Sequence, residues 1–84
     1  MYEYYFTFQS ITYAQKALSE LFRIGIASEL IRSPKHLSAA GCSYALTVKS
    51  SDGFRAYAAM RSVGIQPLRS LRVYPDGRSE VTLL

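Results

Sequence analysis

Cysteine and histidine are almost absent from this sequence, which has one of each among its 84 residues. A single cysteine cannot form an internal disulfide, and with a single histidine it cannot supply the four ligands of a structural zinc site. The sequence therefore implies no metal, and no motif in it calls for an organic cofactor. Because no disulfide framework is present, a reducing cytoplasmic location is the expectation.

Long hydrophobic runs are also missing. No apolar stretch approaches the roughly 20 residues needed to span a bilayer. The opening MYEYY lacks the basic and then apolar pattern of a signal peptide. We therefore expect no membrane partner. The hydrophobic fraction of 49% and charged fraction of 19% are typical of a folded globular protein. A single domain over residues 1–84, with one modest core, is the prediction.

Clusters of positive charge are absent too, although the formal net charge is +4. The ten basic residues are spread along the chain, which indicates only a weak preference for anionic partners. RNA-recognition sheets stack bases on aromatic residues of two central strands. The corresponding exposed positions of the third predicted strand are Ala45, Thr47 and Lys49, none of which can stack. The sequence therefore argues against nucleic acid as a partner.

Hydrophobic periodicity predicts a strand, a helix and a second strand in the first part of the chain. Alternation over residues 2–8 predicts a strand with the core face Tyr2, Tyr4, Phe6 and Phe8. A helix follows, with Ser10 and Thr12 as alternative N-caps, and it ends near Gly25. Its predicted apolar stripe is Ala14, Ala17, Leu18, Leu21 and Phe22. Residues 26–31 are predicted to form the second strand, which Pro34 stops.

A similar order is predicted for the second part of the chain. Residues 44–48 form a third strand, with Tyr44, Leu46 and Val48 facing the core. A second helix starts near residues 50–52 and closes at Gly64. Its predicted stripe is Phe54, Tyr57, Ala58 and Met60 or Arg61. A fourth strand over 68–74, the turn Pro75-Asp76-Gly77 and a fifth strand over 81–83 complete the prediction.

A weak internal repeat supports this order of elements, because Ile24-Gly25-Ile26 recurs as Val63-Gly64-Ile65 in the second half. Two similar β-α-β halves are what a ferredoxin-like fold requires. Right-handed crossovers place both helices on one face of the sheet. We therefore predict an α+β fold: a ferredoxin-like β-α-β-β-α-β sandwich whose antiparallel sheet carries two helices on one face, with a C-terminal β-hairpin extension.

The only cysteine lies at the end of a long predicted hairpin loop, residues 33–43, between the second and third strands. This loop exceeds the length that hairpin closure needs, which is typical of a functional segment. Gly41 precedes Cys42 and allows the backbone to approach a ligand closely. Lys35 and His36 lie on the same loop, and a cation near a thiol favours the reactive thiolate.

The loop resembles that of a bacterial family of small selenium/sulfur carrier-like domains. The matching residues are Pro34, Lys35, Ser38 and Cys42, followed by the apolar strand. The order Gly41-Cys42 departs from the Cys-Gly order expected in many members. The resemblance implies that Cys42 carries sulfur or selenium as a persulfide or selenopersulfide. It also implies a donor enzyme and an acceptor protein as partners. Gly41 with Ser43 is expected to shape the pocket, and Ser38, Lys35 and His36 are further candidate binding residues on the same loop.

Two interpretations of Cys42 remain open at this point. Free cysteine is often buried as a small hydrophobe, and Cys42 shares the strand parity of the core-facing Tyr44 and Leu46. In that case the protein is a non-catalytic binding or dimerisation module that uses the open sheet face, where Tyr5 lies. A homodimer is compatible with both interpretations. A cysteine protease would need an orienting group and an oxyanion site beside His36, so a carrier or binding protein is expected rather than an enzyme.

Overall fold

Strands and helices alternate along the chain in the computed structural model, which describes residues 1–33 and 44–82. The elements are β1 (Glu3–Phe8), α1 (Ile11–Arg23), β2 (Ser28–Arg32), β3 (Tyr44–Lys49), α2 (Gly53–Ser62), β4 (Arg69–Val73) and β5 (Ser79–Val81). A short 3-10 helix, Ser50–Asp52, leads into α2.

The strands form one sheet in the order β2-β3-β1-β4-β5, and every neighbouring pair is antiparallel. The predicted α+β class, with an antiparallel sheet and two helices, is confirmed. The central strand is β1, in which Phe6 lies opposite Leu46 of β3 and Ser70 of β4. The edge strands are β2 and β5, and each has a neighbouring strand on one side only among the described residues.

One hydrophobic cluster joins the sheet to both helices. It contains Tyr4, Phe6 and Phe8 of β1, as predicted from their alternation. Because alternate residues of a strand point to the same face, the helices that pack on these rings share one side of the sheet. The helical members of the cluster are mainly small: Ala14, Ala17 and Leu21 of α1, and Ala56 and Met60 of α2. Their small size lets both helices lie close to the aromatic rings of β1.

Both predicted helix stripes are wrong in part. Phe22 is 84% exposed and Phe54 is 71% exposed, although both belong to the predicted apolar stripes. The buried arc of α1 passes through Ala14, Ala17 and Leu21, and Phe22 lies about 100° further round the helix. In α2 the buried positions are Gly53, Ala56 and Met60, and the predicted core residue Ala58 is exposed. The α1 stripe is therefore wrong only at Phe22, whereas the α2 stripe omits two of the three buried residues, Gly53 and Ala56.

The two helices end in the same way, as the internal repeat predicts. Gly25 and Gly64 follow α1 and α2 with φ of 82° and 77°, the left-handed conformation that favours glycine. The N–H of Ile26 donates to the carbonyl of Leu21 at 2.9 Å, and that of Ile65 donates to Met60 at 2.9 Å. Each contact closes a Schellman motif that buries the isoleucine in the core. The second strand consequently starts at Ser28, two residues later than predicted.

Candidate functional site

The cysteine-bearing stretch is bracketed by two described positions, Ser33 after β2 and Tyr44 at the start of β3. Arg32 pairs with Tyr44 across the sheet, and its guanidinium carbon lies 5.9 Å from the centroid of the Tyr44 ring. Tyr44 in turn lies opposite Phe8, the last residue of β1. Both ends of the stretch therefore join the sheet at the end where β1 finishes.

The N-terminus of α1 lies at this same end, because α1 begins three residues after Phe8. Ser10 is the N-cap, and its hydroxyl accepts a hydrogen bond from the N–H of Thr12 at 3.1 Å. Thr12, the alternative cap, is inside the helix. The first turn carries no acidic residue, so the positive end of the helix dipole is not neutralised within α1. Together with the Arg32 guanidinium, this helix end makes the local electrostatic potential positive.

A shallow cavity of about 200 Å³ opens beside the start of α1. Two glutamine amides, a serine hydroxyl and a phenol supply its polar side-chain groups, and none of its described lining residues is charged. The lining residues are Phe8, Gln9, Ser10, Tyr13, Gln66 and Leu68. The sequence analysis missed this cavity, because Gln9 and Gln66 lie far apart in the chain and meet only through the pairing of β1 with β4. The N–H of Leu68 donates to the Thr7 carbonyl at 2.8 Å and brings the two segments together.

All six site residues predicted from sequence lie outside the described residues: Cys42, Gly41, Ser43, Ser38, Lys35 and His36. The structure brings together the residues on either side of them, Arg32 with Tyr44, next to the start of α1. The role of each of the six therefore stays a prediction. The structure describes the positively charged end of the sheet, where Ser33 and Tyr44 flank their segment.

A second polar cluster lies at the opposite end of β1 and joins Tyr2, Tyr4, Arg72, Tyr74 and Glu80. The Arg72 guanidinium carbon is 5.4 Å from the Tyr2 ring centroid, and the Tyr2 and Tyr4 rings meet edge to face at 5.4 Å. Hydrogen bonding with Tyr2 and Arg72 lowers the pKa of Tyr4, whereas the bond to Tyr4 raises the pKa of Tyr2. The contacts of this cluster connect the start of β1 with β4 and β5.

Glu80 is the acid-sensitive member of that cluster. The Tyr74 hydroxyl donates to it at 2.9 Å and Arg72 at 3.2 Å, and these bonds hold the pKa of Glu80 below its ordinary value. A carboxylate with a lowered folded-state pKa stabilises the protein above its unfolded-state pKa. That stabilisation is lost as the pH falls through the folded-state pKa. We expect acidification from about pH 6 to about pH 3 to lower the melting temperature less in Glu80→Gln than in the wild type. Equal shifts in both proteins would contradict this assignment.

Within residues 1–33 and 44–82, no three histidine, cysteine, aspartate or glutamate side chains are arranged so that they could hold a metal ion. No helix in the same ranges has the length and hydrophobicity required to cross a membrane.

A family model described as "Putative Se/S carrier protein-like" matches residues 3–72. The matched span runs from the start of β1 into β4 and includes the whole cysteine-bearing stretch. No curated protein and no solved structure matches the chain.

Proposed function

Because the chain belongs to this selenium/sulfur carrier-like family, we propose that it carries sulfur or selenium on Cys42 as a persulfide or selenopersulfide. The family match across the only cysteine is the observation that carries the proposal. Supporting it, a single residue separates Cys42 from Tyr44, which lies at the positively charged end of the sheet. We assign the fold as ferredoxin-like with a C-terminal hairpin, since the strand order β2-β3-β1-β4-β5 supports that assignment.

The transfer step balances without an external oxidant. The Cys42 thiolate attacks the terminal sulfur of a persulfide on a donor enzyme, and the donor's sulfur–sulfur bond breaks. The donor cysteine leaves as a thiolate, and Cys42 holds the transferred sulfur as its own persulfide. Attack on that outer sulfur by an acceptor protein's thiolate repeats the exchange and returns Cys42 to its starting state. A cytoplasmic location suits this chemistry, because reducing conditions keep the thiol free.

Positive charges near the cysteine-bearing stretch favour the thiolate form of Cys42, which this transfer step needs. The thiolate is the nucleophile, and positive charge nearby lowers a thiol's pKa. The N-terminus of α1 and Arg32 supply positive potential at the end of the sheet where the stretch is attached. Lys35 and His36 add cationic groups within the stretch itself. Gly41, Ser43 and Ser38 are small and would shape a pocket that leaves the sulfur accessible.

Sulfur loading is tested by incubating the full chain with a cysteine desulfurase and cysteine. Intact-mass measurement should show a gain of one sulfur atom that a thiol reductant removes. Prior alkylation of Cys42 should prevent the gain. A parallel reaction with a selenocysteine lyase and selenocysteine tests whether selenium is also accepted. If neither donor loads the protein during turnover, the carrier proposal is wrong.

The second candidate is a non-catalytic binding module in which Cys42 only packs. The observation that favours it is the half-buried Tyr5 on the sheet face opposite the two helices, where it lies beside the buried Leu71. The two candidates differ in the accessibility of the thiol. Alkylation of native Cys42 at neutral pH should be faster than that of an ordinary free thiol if Cys42 is a carrier. It should require unfolding if Cys42 is part of the core.

A further inference from the structure

The outer side of β2 is an exposed strand edge. Among the described residues, β3 alone pairs with β2, so the opposite row of β2 backbone groups has no strand beside it. β2 has five residues and contains no proline, and its two charged residues, Glu29 and Arg32, leave Leu30 and Ile31 as an apolar centre of the strand. The other edge strand, β5, has only three residues, and its Glu80 is engaged by Arg72 and Tyr74. The sheet therefore offers one long edge that can accept another strand.

An apolar groove runs beside this edge. It has a volume of about 540 Å³ and lies between the end of α1 and the start of β2. Its wall includes Phe22, which is 84% exposed and is the most exposed aromatic side chain among the described residues, together with Leu18 and Ile26. Ile11, 37% exposed, lies on the same side of α1 as Leu18 and Phe22, because they are seven and eleven residues apart. The strand edge and an apolar helix flank thus form one continuous surface.

We propose that a second copy of this chain occupies the surface through antiparallel pairing of β2 with β2. A twofold axis perpendicular to the sheet at Leu30 places Leu30 opposite Leu30 of the second copy, with matching faces. In this register Glu29 lies opposite Ile31, and Ser28 lies opposite Arg32. An axis at Glu29 would bring two carboxylates together, which is destabilising, and an axis at Ile31 would set Leu30 against Arg32. The side chains therefore favour the Leu30 register.

The size of the surface predicts a weak dimer. A five-residue strand is about 17 Å long, so the two edges and helix flanks bury an area at the low end of specific interfaces, below about 1,200 Å². The Phe22 side chain is the main anchor, because its exposed ring contributes on the order of 150 Å² of apolar surface from each copy. The dimer should therefore form only at higher protein concentrations.

Sedimentation velocity of the full chain over a roughly hundredfold range of concentration tests the proposal. We expect reversible dimerisation, with the dissociation constant raised about 30-fold or more in Phe22→Glu, since aromatic anchors contribute 2 kcal/mol or more. Phe54→Glu is the matched control, because Phe54 is also an exposed helical phenylalanine, 71% exposed, and lies on α2. It should dimerise like the wild type. A monomer at every concentration, or equal effects of the two variants, would overturn the proposal.

Cross-linking tests the register separately. Leu30→Cys in a Cys42→Ser background should form a covalent dimer under mild oxidation, because directly opposite residues lie within disulfide reach. Glu29→Cys in the same background should not, since the two introduced cysteines are offset by about 7 Å along the strands. Efficient cross-linking through position 29 instead of position 30 would refute the Leu30 register.

Discussion

The Gly53→Ala variant should lose about 3 kcal/mol of unfolding free energy, the upper end of the usual cost of overpacking a core. A Cβ atom on Gly53 would overlap the Tyr4 ring, lying 3.0 Å from its Cζ and closer to two other ring carbons. The ring cannot move aside, because Tyr4 is 3% exposed and packs against Tyr2 and Phe6 with centroid distances of 5.4 Å and 6.2 Å. The first turn of α2 would have to move away from the sheet.

Backbone preference alone predicts the opposite sign for this substitution. Gly53 has φ of −57° and ψ of −51°, which any residue adopts in a helix, so alanine should stabilise α2 by about 1 kcal/mol. Urea denaturation of Gly53→Ala in the wild-type and Tyr4→Leu backgrounds separates the two effects. The alanine should be strongly destabilising beside the Tyr4 ring and nearly neutral in the Tyr4→Leu background. Equal losses in both backgrounds would show that the Tyr4 ring is not the obstacle.

The contact between Gly53 and the Tyr4 ring explains why the buried faces of the strands follow from the sequence more readily than those of the helices. Tyr4, Phe6 and Phe8 alternate without ambiguity, and their burial follows directly from a period of two. On α2 the buried positions are Gly53, Ala56 and Met60, and Gly53 lies directly against the Tyr4 ring, whereas Phe54 is exposed. A hydrophobic stripe cannot detect the burial of Gly53, because glycine has no apolar side chain and the determinant is the distance between helix and sheet.

The helix ends show the opposite case, in which local sequence is sufficient. Gly25 and Gly64 each follow a helix and precede an isoleucine, and each adopts the left-handed conformation. No tertiary information is needed, because the Schellman hydrogen bonds lie within six residues. The end of α1 at Gly25 also sets the start of β2 and, through the exposed Phe22, the groove beside it.

For the candidate site, the sequence located the cysteine-bearing stretch between β2 and β3 but not the groups that surround its ends. The pairing of Arg32 with Tyr44 depends on the register of two strands, and the nearness of the α1 N-terminus depends on the order of β1 and β3 in the sheet. The cavity lined by Gln9 and Gln66 needs, in addition, the pairing of β1 with β4. Each of these follows from tertiary topology, which periodicity does not encode.

Replacing Cys42 by serine should abolish sulfur loading while leaving the fold intact. Serine has nearly the shape of cysteine but cannot hold a persulfide, so the intact mass should remain unchanged after turnover with the desulfurase. If Cys42 acts at the surface, the unfolding free energy should change by less than about 0.5 kcal/mol. If Cys42 is a core residue, burying a hydroxyl in its place should cost about 1 kcal/mol or more. The pair of measurements therefore separates the carrier from the binding module.

A relocated thiol provides the matched control for this experiment. In Cys42→Ser with Ser62→Cys, the single cysteine is moved to an exposed position in the last turn of α2. Its loading should be at least about tenfold slower than that of the wild type, because it lies at the negative end of a helix dipole and lacks the positive potential of the α1 N-terminus and Arg32. Equal rates for the two proteins would mean that any accessible thiol accepts sulfur from the donor. In that case the end of the sheet around Arg32 and Tyr44 would contribute nothing to transfer.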